Sequence, residues 1–240
     1  MPSERMIQQS TLFIDKCIEL KLVSASDAEK LREPVGEEGH LVAQDALQRG
    51  LLTPSDIEIV HSLLRPSDVV PGYEILDFVG RGGMGVVYRA RQLDLERVVA
   101  LKTVLVSSVG NSNTGARFEL EAKALARMQH PNIVQALNFG KHEGRFYFAM
   151  EFIPGPSCEQ LVASGFGLPK NQVWQIVRQV ASGLLHASRQ GLIHRDIKPA
   201  NLILMPAPEG SMAVTVSHGI VKITDFGLAM FTDHTQQDNR

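Results

Sequence analysis

Apolar positions change their spacing along the chain, and each change marks a new kind of element. Phe13, Cys17 and Leu20 recur at helical spacing, as do Ile57, Val60 and Leu64, so residues 1–70 read as a small all-α segment. From Tyr73 the pattern becomes strand-like. Tyr73–Val79 alternates into the glycine-rich run Gly80-Arg81-Gly82-Gly83-Met84-Gly85, and Val86-Val87-Tyr88-Arg89-Ala90 follows with the β-branched and aromatic residues of a second strand. Arg97–Lys102 is a further apolar strand, Ala116–Met128 a helical run, and Arg145–Ile153 a strand that stops at Pro154-Gly155. Val173, Ile176, Val177, Val180, Leu184 and Leu185 form a helical apolar face, with Gly191 placed to end the helix. Strands at Leu202–Met205 and Val221–Thr224 flank residues 206–219, an insertion without a clear pattern.

The front segment also repeats weakly. Cys17–Asp27 aligns with Ala46–Asp56, each copy being a helix end, a short apolar turn, and a Ser or Thr with Asp three residues later. The hydroxyl suits the N-cap of the next helix and the acid suits its first turn; Pro54 fits the first helical position. Two helix-turn-helix pairs are therefore expected, joined through residues 33–39. Arg65–Gly72 reads as a linker.

Charge sharpens the division. Residues 1–70 hold 7 Lys+Arg against 12 Asp+Glu, a net −5, and residues 71–240 hold 17 against 14, a net +3. An acidic front argues against nucleic acid as a partner, because phosphate binding needs the opposite sign. It leaves residues 1–70 as a surface for a protein partner or self-association. No apolar run reaches the length of a membrane span, and Cys17 and Cys158 stand far apart, as expected of reduced thiols in a cytoplasmic protein.

Candidate chemistry gathers in His194-Arg195-Asp196-Ile197-Lys198-Pro199-Ala200-Asn201-Leu202, a loop carrying a carboxylate, an ammonium and an amide at fixed offsets. In-line phosphoryl transfer needs such groups: one to orient a hydroxyl, one to face phosphate, one to ligate a hard cation. The glycine pattern by itself is shared with dinucleotide-binding turns, but those open a helix, whereas here a strand follows. With Val99-Ala100-Leu101-Lys102 and Asp225-Phe226-Gly227 in order, residues 73–235 resemble the Hanks-type (eukaryotic-like) serine/threonine protein kinases, in the form found in bacteria.

That resemblance implies an α+β, protein-kinase-like fold: a β-rich N-lobe and hinge over 73–153 and the start of a helical C-lobe over 154–240. It implies ATP and Mg2+ (or Mn2+) as cofactors and protein serine or threonine hydroxyls as substrates. Asp196, Lys198, Lys102 and Glu121 become the catalytic set, and Asn201 and Asp225 the metal ligands. Val79, Gly80, Arg81, Gly82, Gly83, Met84, Gly85, Val86, Val87, Ala100, Met150 (as gatekeeper), Glu151, Ile153 and Ile203 join Lys102 around the nucleotide. Arg195, Thr232 and Thr235 become regulatory candidates, the arginine as partner of a phosphorylated activation segment. Relative to the family pattern the chain stops within that segment, so an incomplete catalytic domain is expected, with Ile176, Val180 and Leu184 short of cover. The competing expectation is a non-catalytic, nucleotide-binding scaffold.

Overall fold

The structure is a computed structural model that describes residues 4–32, 42–82, 85–105, 125–165, 167–205 and 219–226. The chain divides into two compact units, Met1–Arg97 and Val98–Arg240.

The first unit opens with α1 (Glu4–Glu19), α2 (Ala25–Arg32), α3 (Val42–Gln48) and α4 (Pro54–Leu64). Phe13, Ile14, Cys17, Leu31, Ala46 and Val60 share one buried core. The repeat written in the sequence is present in the hydrogen bonds. Leu22 N donates to Cys17 O at 2.9 Å, and Leu51 N donates to Ala46 O at 2.9 Å, closing α1 and α3 in the same way. The residue that must turn left-handed is Gly50 (φ 66°) in one copy and Lys21 (φ 55°) in the other. Each turn leads to a capped helix: Asp27 N donates to Ser24 Oγ at 3.1 Å, and Asp56 N to Thr53 Oγ1 at 3.2 Å. At α4 the box is complete, since Thr53 N also donates to the Asp56 carboxylate at 2.8 Å.

Residues 65–72 are packed rather than loose. Val69 and Val70 are buried, and Ile75 N donates to Pro66 O at 2.9 Å. They deliver the chain into an antiparallel hairpin of β1 (Tyr73–Gly82) and β2 (Gly85–Gln92), against which α4 lies. Alternation along β2 buries Val86, Tyr88 and Ala90 on one face. Tyr88 Oη donates to Ser62 Oγ of α4 at 3.1 Å.

The second unit begins with β3 (Arg97–Leu105), which pairs antiparallel with β5 (Arg145–Glu151); β5 pairs on its other edge with β4 (Ala136–His142). Of the helix predicted over 116–128, residues 125–127 are helical and 116–124 lie outside the described residues. Helices α5 (Cys158–Ala163) and α6 (Lys170–Arg189) follow, then a hairpin of β6 (Leu202–Met205) and β7 (Ile220–Ile223). The core runs through Met128, Ile133, Ile176, Val180, Val221 and Ile223. Thus Ile176 and Val180, expected to lack cover, are buried, and Leu184 packs partly against the same core. The exposed apolar strip of α6 is instead Val173, Trp174, Val177 and Leu185, because the helix turns its 176–180–187 edge to β7. Gly183 permits that approach: a Cβ there would lie 2.8 Å from Ile223 Cδ1. Among the described residues no helix is long and apolar enough to cross a membrane.

Candidate active site

The loop 192–202 is fixed at both ends by backbone. Gly191 (φ 76°) closes α6, with Leu192 N donating to Ala187 O at 3.0 Å, and this turn aims the chain inward. His194 is 2% exposed and acts as a post. Its Nε2 lies 2.8 Å from Thr224 O, and its Nδ1 accepts from Asp196 N at 3.3 Å. That pairing places the ring hydrogen on Nε2. One edge of the ring meets Phe226 at 4.6 Å between centroids. Arg195 (φ 62°) and Asp225 (φ 60°) both occupy the left-handed region, which costs a side-chain-bearing residue about 1–2 kcal/mol. Such conformations persist where surrounding contacts over-determine them, and they mark functional sites.

From this post the polar groups connect in a line. Asn201, buried in a 3-10 turn after Pro199, donates through Nδ2 to Asp196 O at 2.8 Å and to Asp196 Oδ2 at 3.1 Å. This leaves its amide oxygen as the atom free of that task. Thr224 N donates to Asn201 O at 3.0 Å, tying the loop to β7 and hence to Asp225. Lys102, on β3 and 7% exposed, donates to Asp225 Oδ1 at 2.8 Å. At the other end Lys198 Nζ lies 2.9 Å from Asp196 Oδ2. The hydrogen bond from Lys198 and that from Asn201 hold the Asp196 carboxyl below the usual carboxylate range, and Asp196 in turn raises Lys198. Both side chains are about half exposed, so the pair adds little to stability; its effect is to keep a carboxylate and an ammonium together at the surface.

Beyond the hydrogen-bonded line lies the strand end at Met150. Met150 is buried and pairs with Ala100 on β3. Glu151 is anchored three ways: its N donates to Gln135 O at 3.0 Å, and its Oε1 accepts from Gln135 N at 2.7 Å and from Lys222 Nζ at 2.6 Å. Ile153 is buried, and Leu204 N donates to Pro156 O at 3.0 Å, so the segment 152–155 is held at both ends. Ile203 pairs with Lys222 across β6 and β7. A cavity of about 20 Å³ behind Met150, walled by Leu125, Phe148, Asp225 and Phe226, has room for roughly one water and none for a nucleotide base.

The second unit thus brings together Lys102, Asp196, Lys198, Asn201 and Asp225, with Ala100, Met150, Glu151 and Ile203 on strands and Ile153 just past the end of β5. Val79, Gly80, Arg81, Gly82, Gly85, Val86 and Val87 lie on the hairpin of the first unit. Val86 and Val87 face opposite ways there, so a ligand met by the Val87 side chain would meet Val86 through backbone alone. Gly83, Met84, Glu121, Thr232, Thr235 and the insertion 206–218 lie outside the described residues. Sequence reasoning missed Lys222 and Thr224 as supports, although a lysine between Val221 and Ile223 on a buried strand signals a polar partner inside. It also missed Gln179, whose Oε1 accepts from Asn132 Nδ2 at 2.7 Å and from Val221 N at 2.9 Å.

Two oxygen-bearing side chains, the Asn201 amide and the Asp225 carboxylate, suit a hard divalent cation. Among the described residues no group of three or more His, Cys, Asp or Glu could hold a metal ion.

Known proteins carry the same pattern. Residues 73–240 match the protein kinase domain family. The chain is 40% identical over 164 residues to the serine/threonine-protein kinase pkn3 of Myxococcus xanthus, covering 68% of this chain and 29% of that protein. It is 39% identical over 166 residues to the serine/threonine-protein kinase PknJ of Mycobacterium tuberculosis, covering 69% and 27%. The kinase domain of PknI from Mycobacterium tuberculosis superposes with a TM-score of 0.57 at 29% identity, covering 68% of this chain and 62% of that one. The chain therefore spans less than a third of these curated relatives and under two thirds of the solved domain. With the match reaching from the glycine-rich hairpin through the Lys102–Asp225 and Asp196–Asn201 contacts, the chain belongs to the protein kinase family, and its relatives are the Hanks-type serine/threonine kinases of bacteria.

Proposed function

We propose that the protein containing this chain transfers the γ-phosphoryl group of Mg-ATP to serine or threonine hydroxyls of other proteins. The observation that carries this reading is that Lys102 bonds Asp225, the preceding Thr224 backbone bonds Asn201, and Asn201 and Lys198 both bond Asp196. Asp196 is ionised near neutral pH and too weak a base to deprotonate a resting alcohol; it accepts the hydroxyl hydrogen and aims the oxygen at phosphorus. Lys198 beside it faces the charge that builds on the transferred group. Asn201 Oδ1 and Asp225 supply hard oxygens for magnesium, which would neutralise phosphate charge when bound. Lys102 would exchange its bond to Asp225 for phosphate oxygens, with Glu121 as its counter-charge. Backbone of Gly80–Gly85 would approach the phosphates, and Val79, Val87, Ala100, Met150, Ile153 and Ile203 would enclose the base next to the Glu151–Ile153 backbone. Arg195, Thr232 and Thr235 fit a phosphorylation-controlled activation segment.

The test is Asp196→Asn in the full-length protein. Orientation of the hydroxyl is lost while the oxygens that would meet the metal are untouched, so turnover should fall by roughly 10²–10⁴-fold with Mg-ATP affinity within about threefold of the parent. A variant that chiefly loses nucleotide affinity would refute the assignment. A parent that binds ATP and transfers nothing would favour a nucleotide-binding scaffold.

A further inference from the structure

Asp56 lies outside the stretch that matches the kinase family, yet it bonds Arg81 near the end of β1, inside the glycine-rich sequence. It is the third residue of α4 and both its carboxylate oxygens are engaged. One oxygen accepts from Thr53 N and Thr53 Oγ1, and the other accepts from Arg81 Nη1. Its side chain is 8% exposed and that of Arg81 48%. Burial pushes the carboxyl upward, but the bonds from Thr53 and the Arg81 charge outweigh it and hold the group ionised below the usual range.

Its counterpart in the other copy of the repeat measures what is special here. Asp27 stands at the same place, three residues after Ser24, but it is only half-buried; its Oδ2 accepts from Ser24 Oγ at 2.7 Å, and it pairs with Lys30 of its own helix at 2.6 Å. In the second copy the same acid is buried and turned to the hairpin. Register explains how Arg81 reaches it: Arg81 pairs with Val86, so both lie on the hairpin face that α4 covers, with Tyr88 bonded to Ser62 further along. Arg81 therefore leaves from the face opposite Val87.

We infer that Asp56 is a positioning residue for phosphate binding: through Arg81, the front helical segment fixes the end of β1, opposite Val86 of β2, from which the glycine-rich segment meets ATP. This rests on the function proposed above. It gives residues 1–70 a task inside catalysis rather than that of a separate tethered adapter.

The experiment is a double-variant cycle in the full-length protein with Asp56→Asn, Arg81→Gln and both together. KM for ATP, kcat and the dissociation constant of a fluorescent ATP analogue are read for each. Each single variant should raise KM and the dissociation constant by roughly three- to tenfold with kcat within about twofold, as expected of one charge-assisted bond half open to water. The double variant should be no worse than the worse single. Thr53→Ala weakens the same cap while leaving the Arg81 bond, so it should lower the melting temperature and leave both ATP constants within about twofold. Additive losses would mean that Arg81 touches ATP directly, and would overturn the inference. So would Asp56→Asn without effect, or Thr53→Ala with the same effect as Asp56→Asn. A parent that binds the analogue without transferring phosphate sinks the kinase reading, while the analogue still decides the Asp56–Arg81 coupling.

Discussion

His194 gives the sharpest test of how the loop is held. Its ring joins three pieces that the chemistry needs in register: the Asp196 backbone, the Thr224 carbonyl before Asp225, and the Phe226 ring. Replacing it with alanine removes a hydrogen bond worth about 0.5–1.5 kcal/mol and strands the Thr224 carbonyl at about 1–3 kcal/mol more. The edge-to-face contact with Phe226 adds about 0.5–1.5 kcal/mol. The site is 2% exposed, so water cannot readily replace the ring. A loss of about 3–5 kcal/mol is expected, a large share of a domain's ~5–15 kcal/mol, and a melting temperature lower by roughly 10 °C. His194→Phe refills the space and keeps the ring pair, so it isolates the hydrogen-bond part and should fall between parent and alanine. Differential scanning calorimetry gives the order, and phosphate transfer by the full-length variants should fall with it, since Asp196 and Asp225 are both released. If His194→Ala melts within about 2 °C of the parent, or if His194→Phe matches the parent, the post carries no such load.

Two further outcomes concern the helical segment. Lys21 holds the left-handed turn that Gly50 holds in the other copy, so Lys21→Gly should stabilise the protein by about 1 kcal/mol, read by urea unfolding. Unchanged or lower stability would show that the Lys21 side chain earns its strain elsewhere. Because the Asp56 carboxyl is held below its usual range, its contribution is present above the unfolded value near pH ~4 and fades as pH falls through the lower folded value. Urea unfolding of parent and Asp56→Asn should therefore differ most at neutral pH and converge once the pH falls below the folded value, and a constant gap would contradict the ion pair.

How much was legible follows the range of the interaction concerned. Many helix ends, caps and strands came straight from sequence because their causes are local, although neither β4 nor α5 did. Ser24 and Thr53 cap within three residues, Gly191 closes α6 within a turn, and β-branched runs fix β2 and β3. That Lys102, Asp196, Lys198, Asn201 and Asp225 belong together was legible too, but through the resemblance to the kinase motifs that hold them. Tertiary structure decided what those side chains hold. Lys102 finds Asp225 123 positions away, and Glu151 finds Lys222 71 away. Neither pairing follows from pattern, since any acid satisfies any base until packing excludes the rest. The same holds for α6: its apolar residues circle too much of the helix for sequence to say which edge meets β7, and Gly183, lacking a side chain, admits Ile223 on one side only. Most of all, packing separated Asp27 from Asp56. The repeat writes them alike, but burying α4 against the glycine-rich hairpin makes one of them a partner for Arg81 while the other pairs with Lys30 of its own helix.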